Sequence, residues 1–297
     1  MNWSRVAPGN RERHSDKIVA NVLVECHRYH LKMTPTYLDD IVRYHRKRAG
    51  SDERVWQDRM ASVRYEGPSL LDALNDDAHA NVKVIAEVKR RSPSKGWIDE
   101  HLDPGELARD YQEGGASAIS VLTDRPHFAG SSGDVSAVRA ACTLPILRKD
   151  FTVSANDVLD AAAMGASAVL LIVAALSDEE LALFLDVARQ CGLAALVEVH
   201  DHDEARRAVD LGAAIIGVNQ RDLRTFEVSP DRAASVIGSL PRDVVTVAES
   251  GLTTREDVER SAAAGFDAVL VGESFVRSDQ PAVAVRSFAT VAKGRRA

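Results

Sequence analysis

A short glycine-led motif recurs four times in this chain and sets the spacing of its secondary structure. Residues 115–119 read Gly-Ala-Ser-Ala-Ile and residues 165–169 read Gly-Ala-Ser-Ala-Val, while looser copies begin at Gly212 and Gly265. Successive copies lie about 50 residues apart, which is room for two strand–helix units. Glycine ends a helix in a left-handed turn, and the small residues after it lead into the next strand. The repeat therefore predicts a scaffold of paired strand–helix units and has no catalytic meaning.

Eight apolar stretches rich in β-branched residues alternate with helical patterns from residue 82 onward. The predicted strands are residues 82–88, 117–122, 144–149, 168–173, 194–199, 214–218, 244–249 and 267–271. Eight such units predict an α/β fold of the (β/α)8 TIM-barrel type. The alternative is a doubly wound open sheet, which usually carries a glycine-rich phosphate turn after its first strand. Residues 89–94 read Lys-Arg-Arg-Ser-Pro-Ser instead, so we favour the barrel.

The chain divides into an N-terminal extension and a barrel domain. Residues 37–297 are predicted to form the catalytic barrel, with N-terminal helices over about 37–47 and 54–63. Residues 1–36 are predicted to be an extension, partly disordered and partly helical, with one helix over 18–33. Residues 1–50 hold ten Lys and Arg against five Asp and Glu, whereas the whole chain has a net charge of −7. The extension is interpreted either as an oligomerisation or partner-docking element or as a dispensable tail.

Composition and cysteine content restrict the class of protein. Hydrophobic residues make up 45% of the 297 residues and charged residues 27%, which is typical of a globular protein with a sizeable core. No apolar run approaches the roughly 18 residues of a membrane helix, and the polar N-terminus shows no signal peptide. The three cysteines lack close pairing, which is typical of reduced thiols in the cytoplasm. We therefore expect a cytoplasmic protein without a membrane partner, and the negative charge disfavours nucleic acid.

Several carboxylates are assigned to helix starts rather than to chemistry. A Ser, Thr or Asp three residues before a Glu is the sequence pattern of a capping box. The pairs are Asp103 with Glu106, Ser177 with Glu180, Asp201 with Glu204, and Thr253 with Glu256. These residues are therefore left out of the predicted active site.

Charged and amide side chains follow the predicted strands at their C-terminal ends. They are Glu87 and Lys89 at the first strand, Lys149 at the third, Glu198 at the fifth, Asn219 and Arg221 at the sixth, and Glu249 at the seventh. The carboxyl ends of barrel strands meet at one rim, where lysines and carboxylates in a partly dry cavity can act as acid and base. Ion pairs that tie the rim together are the structural alternative. Six charged residues at the ends of five strands favour a catalytic rim.

The loops after the last two strands are typical of barrel phosphate sites. Ser250, Gly251 and Gly272 lie in these loops, and Ser92 and Lys89 of the first loop complete the predicted site. Glycines let backbone N–H groups approach an anion. Ordinary tight turns are the alternative interpretation.

No cofactor and no metal are expected from the motifs. The sequence lacks the patterns of a nucleophile elbow, a Walker loop and a dinucleotide-binding turn. His200 and His202 supply two ligands, whereas zinc needs three or four protein ligands.

The motifs at the strand ends resemble, in order, those of the indole-3-glycerol phosphate synthase family. The match covers residues 37–275 and is most specific where residues 84–96 read Val-Ile-Ala-Glu-Val-Lys-Arg-Arg-Ser-Pro-Ser-Lys-Gly. The further matching segments are residues 120–124, 147–151, 170–173, 197–200, 217–223, 248–251 and 270–274. The resemblance implies a TIM barrel that converts the phosphosugar 1-(2-carboxyphenylamino)-1-deoxyribulose 5-phosphate to an indole, with loss of carbon dioxide and water and without a cofactor.

The resemblance also implies roles for the residues at the rim. Lys149 resembles the general acid that protonates the substrate carbonyl, and Glu198 resembles the base or charge-stabilising carboxylate. Lys89 is implied to contact the substrate and to assist dehydration, while Glu87 and Asn219 hold the lysines and the substrate hydroxyls.

The remaining implied roles concern substrate binding. Arg221 is similar to the residue that faces the anthranilate carboxylate, and Phe151 and Leu170 form an apolar wall where desolvation promotes loss of carbon dioxide. Ser92, Ser250, Gly251 and Gly272 match the phosphate site, and Glu249 matches the carboxylate beside it.

Three departures from the family pattern stand out. Glu273 replaces a common serine after the glycine of the eighth loop, and its carboxylate is predicted to turn away from phosphate. Residues 126–130 replace an aromatic-Gly-Gly turn, and residues 160–162 replace a usual Glu-Ala-Arg. A non-catalytic phosphosugar-binding relative and a different phosphosugar barrel, such as an isomerase, remain as alternatives. Retention of both Lys149 and Glu198 disfavours the first, because binding alone needs no acid and base.

Overall fold

A computed structural model describes residues 36–76, 80–221, 228–294 and 296. Eight parallel strands form a closed barrel in which each strand pairs with its neighbours in sequence and the last pairs with the first. The strands are β1 Lys83–Val88, β2 Ala118–Leu122, β3 Ile146–Lys149, β4 Ala168–Ile172, β5 Ala194–Val199, β6 Ile215–Asn219, β7 Val245–Glu249 and β8 Ala268–Val271. All eight predicted strands and the predicted TIM barrel are confirmed. A two-stranded hairpin, Arg91–Ser92 with Gly96–Trp97, follows β1.

Helices precede and alternate with these strands. In chain order they are α1 Tyr37–Ala49, α2 Trp56–Met60, α3 Leu70–Asn75, α4 Pro104–Glu113, α5 Arg125–Phe128, α6 Ser132–Ala141, α7 Ala155–Ala163, α8 Asp178–Gln190, α9 His202–Asp210, α10 Pro230–Ile237, α11 Arg255–Ala264, α12 Glu273–Val276 and α13 Pro281–Ala289. The helices predicted over 37–47 and 54–63 correspond to α1 and α2, and α3 was not predicted. None of the helices in the described ranges is long and apolar enough to cross a membrane. Residues 1–35 of the predicted extension 1–36, including its predicted helix, lie outside these ranges.

The repeated glycines end helices as expected. Gly115, Gly165, Gly212 and Gly265 have φ values of +90°, +83°, +83° and +98°. These angles belong to the left-handed region of backbone conformation, which residues other than glycine rarely adopt. Each glycine therefore reverses the chain from a helix into an even-numbered strand of the barrel.

The helix caps depart from the sequence prediction at three places, the first being Asp103, which accepts from the Glu106 N–H without a return bond from the Glu106 side chain in the described structure. Ser177 and Glu180 form the predicted reciprocal box. The prediction of Thr253 with Glu256 is wrong by one residue. Thr254 is the cap, and the Asp257 carboxylate accepts from the Thr254 backbone N–H. The Thr253 hydroxyl and backbone also donate to Asp257, so both threonines converge on one carboxylate.

Asp201 caps α9 as predicted, but the pair is not reciprocal. The Asp201 side chain accepts from the Glu204 N–H. The Glu204 carboxylate instead accepts from the backbone N–H of His200, at 2.8 Å, and contacts the His200 ring. The predicted capping carboxylate thus helps to position a residue next to Glu198.

Two apolar layers surround the strands. Side chains that point outward from the barrel pack under the helices and form the larger core. Side chains that point inward fill the barrel, and this interior cluster includes Leu70 and Leu74 of α3, which are 0% and 2% exposed. Because Leu70 and Leu74 pack with Val245 and Ala268 at the starts of β7 and β8, α3 closes the amino end of the barrel.

Arginines attach the N-terminal helices to the barrel helix α7. Arg54 and Arg59 both pair with Asp160, at 2.9 and 2.6 Å, and Arg48 pairs with Asp157 at 2.6 Å. Asp160 is one of the departures from the family pattern, and in this chain its carboxylate holds the segment around α2. α1 is thereby fixed beside the carboxyl rim of the barrel.

Candidate active site

The carboxyl ends of the strands surround a cavity of about 260 Å3. Every residue predicted for the site lines it: Glu87, Lys89, Ser92, Lys149, Phe151, Leu170, Glu198, Asn219, Arg221, Glu249, Ser250, Gly251 and Gly272. The structure therefore brings the predicted acid–base, aromatic and phosphate residues together at one rim. Their catalytic and binding roles remain predictions.

Lys149 lies at the centre of the charged cluster. Its Nζ is 2.7 Å from Glu249 Oε2 and 3.6 Å from Glu198 Oε2. Burial disfavours the ammonium, but the negative charges of Glu249, Glu198 and Glu87 outweigh it and hold the Lys149 pKa above its usual range. The ammonium is therefore kept charged inside the cavity and is available as a proton donor.

Glu198 and Glu249 share this lysine but differ in their surroundings. Burial works against the charge of Glu198, yet Lys149, His200 and the Asn219 side-chain amide, 3.1 Å away, hold its pKa below the usual value. Burial and the neighbouring Glu198 charge raise the pKa of Glu249 to about 7, although Lys149 opposes the shift. The buried Oε1 of Glu249 also lacks a hydrogen-bond partner within the described chain. Glu198 therefore stays ionised at neutral pH, whereas Glu249 can gain and lose a proton there.

Gly217 makes room for Glu249 and was missed by the sequence analysis. A Cβ at this position of β6 would collide with Glu249 Oε1 and approach its Cδ to 3.0 Å. A lone glycine inside an apolar strand often marks such a close approach, which is the signal that could have identified it. The absence of a side chain at Gly217 lets the carboxylate of β7 lie beside Lys149.

Glu87 and Lys89 form a second ion pair at the end of β1. Burial raises the pKa of Glu87, but the charges of Lys89 and Lys149 prevail and hold it below the usual value. A Cβ at Gly272 would lie 2.6 Å from Glu87 Oε1 and 3.2 Å from Lys89 Nζ. Gly272 is therefore required for space as well as for its predicted place near phosphate.

The apolar side of the cavity is larger than predicted. Phe151 and Leu170 line it as expected, and Phe128 packs on Phe151 with ring centroids 6.2 Å apart. α1 adds Leu38 and Ile41, which the sequence analysis did not place in the site. The apolar face of α1 was the available signal, but a helix face alone does not show which cavity it covers.

The predicted phosphate loops form the opposite end of the cavity. Ser250 and Gly251 have φ values of +68° and +72°, so the backbone turns sharply directly after β7. Lys95 and Glu273 line the cavity here, and Lys95 Nζ is 3.0 Å from a Glu273 carboxylate oxygen. Arg277 also pairs with Glu273, at 3.1 Å. The carboxylate that departs from the family pattern is thus neutralised by two cations.

His200 is a further residue beside the cluster. Its Nε2 is 3.6 Å from Glu198 Oε1, and its Nδ1 is 3.0 Å from Glu204 Oε2. Burial lowers the pKa of His200, but its bond to Glu204 and the charge of Glu198 raise it overall. His202 instead contacts the hydroxyls of Ser235 and Ser239. The two histidines therefore do not converge on one metal-binding point.

The closed barrel carries a buried cluster of lysine and carboxylate side chains at its carboxyl rim, where (β/α)8-barrel enzymes hold their active sites. The model of the indole-3-glycerol phosphate synthase family matches residues 38–288. The chain belongs to this family, whose members are carboxy-lyases of tryptophan biosynthesis.

Two relatives support the family assignment, and a solved structure shares the fold. An indole-3-glycerol phosphate synthase of Micrococcus luteus is 53% identical over 209 residues, which is 70% of this chain and 78% of the relative. That of Mycolicibacterium vanbaalenii is 45% identical over 256 residues, or 86% and 94% of the two chains. Among solved structures, a thiamine phosphate pyrophosphorylase from Pyrococcus furiosus matches with a TM-score of 0.54 at 17% identity, over 70% of this chain and 94% of that one. The latter likeness concerns the fold alone.

Proposed function

We propose that this chain converts 1-(2-carboxyphenylamino)-1-deoxyribulose 5-phosphate to indole-3-glycerol phosphate, carbon dioxide and water. The observation that carries the proposal is the placement of the Lys149 ammonium between Glu249 and Glu198, in a cavity with an apolar wall at one end and glycine loops at the other. This arrangement fits a substrate with an aromatic ring at one end and a phosphate at the other. Family membership supports the same reaction.

Ring closure is the first step. The ring carbon that bears the carboxylate attacks the ribulose carbonyl carbon, and Lys149 donates a proton to the carbonyl oxygen. A lysine held charged by three carboxylates is in the right protonation state for this donation at neutral pH. The developing positive charge on the anilino nitrogen is stabilised by Glu198, whose lowered pKa keeps it an anion.

Loss of carbon dioxide and water completes the indole. The carbon–carboxylate bond breaks, and its electron pair restores the aromatic ring. Phe151 and Leu170 provide an apolar environment that favours loss of the charged carboxylate. Lys89 then protonates the leaving hydroxyl, and the Glu198 carboxylate accepts a proton from the neighbouring carbon of the new ring, so that the indole double bond forms as water leaves. Glu249, with its pKa of about 7, returns a proton to Lys149 between turnovers. Arg221 pairs with the anthranilate carboxylate before it leaves.

The phosphate is assigned to the loops after β7 and β8. Ser92, Ser250, Gly251 and Gly272 lie together at that end of the cavity, with Lys89 nearby. Backbone N–H groups of glycine-containing turns bind phosphate without adding bulk. A cytoplasmic location is part of the proposal and is supported by the three cysteines, which lack close pairing in the sequence as reduced thiols do. Oligomerisation or docking through residues 1–36 stays a separate prediction.

An indole-fluorescence assay tests the proposal directly. Purified full-length protein is mixed with the carboxyphenylamino-deoxyribulose phosphate, and indole emission is followed with the dephosphorylated substrate as control. We expect turnover of the phosphorylated substrate and a much higher KM without phosphate. Binding of the substrate by folded protein without indole formation would instead support the non-catalytic phosphosugar-binding alternative.

A further inference from the structure

A cluster of two histidines and one aspartate lies outside the charged rim, behind the aromatic wall. His45 is on α1, Asp124 follows β2, and His127 is on the short helix α5. One nitrogen or oxygen atom from each of these residues lies within 4.8 Å of the other two. None of the three lines the cavity, so the cluster is distinct from the proposed catalytic residues.

The arrangement of ligand atoms resembles that of a small metal site. His45 Nε2 is 3.4 Å from Asp124 Oδ1, and His127 Nδ1 is 2.8 Å from Asp124 Oδ2. Metal–ligand bonds of about 2.0–2.1 Å in a tetrahedral zinc site require ligand atoms about 3.3 Å apart. His45 and Asp124 already have this spacing. The His127 side chain is 20% exposed and can turn to complete the set.

Unsatisfied buried atoms point into this cluster. His45 and Asp124 are 4% and 2% exposed. Within the described chain, both ring nitrogens of His45 and Oδ1 of Asp124 lack hydrogen-bond partners. Buried polar groups without partners are costly and rare in folded proteins. A bound cation between His45 Nε2 and Asp124 Oδ1 would satisfy one atom of each residue.

Asp150 does not compete for this role. Its Oδ1 is 3.9 Å from His45 Nε2. The same carboxylate accepts from Arg148, from the Thr123 hydroxyl and from the Phe151 N–H, so its oxygens are occupied. It therefore adds negative charge next to the cluster without being one of its three ligands.

We propose that His45, Asp124 and His127 bind one divalent transition-metal ion of the zinc class. Two imidazoles and one carboxylate suit Zn2+ better than Mg2+ or Ca2+, which prefer oxygen ligands. Three protein ligands leave a fourth position for water at the partly exposed His127 edge. The site is independent of the reaction proposed above, since it rests on residues outside the cavity.

The ion would brace the wall of the cavity. The His45 ring packs against Phe151 with centroids 5.3 Å apart, and α1 contributes Leu38 and Ile41 to the cavity lining. Binding would join α1 to the loop after β2, two elements that are far apart in the sequence. An ion that binds only the folded protein also raises its melting temperature.

Metal titration of the full-length, chelator-treated protein tests the proposal. Co2+ serves as the spectroscopic probe and Zn2+ as the competing ion, with stoichiometry read by calorimetry. The chain has nine histidines and three cysteines, so the comparison of variants assigns the site. We expect one equivalent of Co2+ to give the visible bands of a tetrahedral nitrogen–oxygen site. His127→Gln should lower the affinity for that equivalent by at least about tenfold, since even the loss of an outer-shell partner of a ligand costs about 10- to 100-fold.

The controls separate this cluster from other ligands. His202→Gln should bind Co2+ like the wild type, because both ring nitrogens of His202 are hydrogen-bonded to serine hydroxyls, those of Ser239 and Ser235. His127 is the partly exposed member, so its replacement is the variant that keeps the fold, as checked by circular dichroism. Equal Co2+ affinity of the wild type and His127→Gln would overturn the proposal. A thiolate charge-transfer band would also overturn it, because it would show that a cysteine binds the ion. So would a rise in melting temperature on addition of Zn2+ that His127→Gln retains.

Discussion

The two ends of the barrel are built from opposite kinds of side chain. At the amino end, α3 inserts Leu70 and Leu74 into the apolar cluster that fills the barrel interior. At the carboxyl end, the same strands terminate in Lys149, Glu198 and Glu249, all largely buried and dependent on one another for charge balance. We therefore expect the amino end to contribute stability and the carboxyl end to hold the catalytic charges, which is the usual arrangement in this fold.

Replacing the central lysine should give the largest effect on the carboxyl end. Lys149→Met removes the proton donor, and we expect kcat to fall about 100- to 10,000-fold, the usual contribution of general acid catalysis. Binding of a phosphate-bearing substrate analogue should change little. The matched control is Lys83→Met, at the amino end of β1, whose ammonium is 3.9 Å from Asp76. A comparable loss of kcat in Lys83→Met would remove the functional distinction between the ends.

The amino end should respond in stability rather than in rate. Leu70→Ala deletes a fully buried side chain, and we expect the free energy of unfolding to drop by about 2–5 kcal/mol. Denaturant unfolding measures the loss, and kcat at a temperature where the variant is folded should stay near the wild-type value. Leu183→Ala makes the same change at a side chain that is 38% exposed and should cost far less. Equal losses for the two variants would show that α3 does not seal the barrel.

Gly217 tests whether the carboxyl end depends on precise space. Gly217→Ala places a methyl group against the Glu249 carboxylate, which must move away from Lys149. We expect kcat/KM to fall by about 100-fold, since a displacement of about 1 Å at a catalytic group has that effect. Gly133→Ala, on α6, meets nothing closer than 3.4 Å and should leave the rate unchanged. Wild-type activity of Gly217→Ala would show that the Glu249–Lys149 contact is dispensable.

The sequence predicted the strands and helices of the barrel better than the separate roles of the residues in the site. Eight strands could be located because each is a short apolar run that alternates with a helical pattern. α3 was missed because six residues carry too little periodicity, although Ser69 caps them by accepting from the Asp72 N–H. The shift from Thr253 to Thr254 has a similar cause, since either threonine has an acidic residue three positions later.

The roles of similar carboxylates could not be separated from sequence. Glu198 and Glu249 both end apolar strands, and they differ only in neighbours from other strands. Asn219 and His200 support the charge of Glu198, whereas Glu249 has Gly217 beside it and an unpaired oxygen. His45 was interpreted only as part of a helix, because its proximity to Asp124 and His127 depends on how α1 docks on the barrel.

The smallest expected effect is the pH dependence that Glu249 adds to the carboxyl end. Its pKa is raised from 4.5 to about 7 in the folded protein, so the folded state binds a proton more tightly than the unfolded state does. Stability linked to this group is therefore present below about pH 4.5 and is lost as the pH rises through about 7. Glu249→Gln, which cannot ionise, should lack this loss and become more stable relative to the wild type by about 1–3 kcal/mol between pH 5 and 8. Urea unfolding at both pH values measures the difference. Glu259→Gln, an exposed change on α11, provides the control and should follow the wild type. If the free energies of unfolding of the wild type and of Glu249→Gln changed in parallel with pH, the proton on Glu249 would not distinguish the charged end of the barrel from the apolar one.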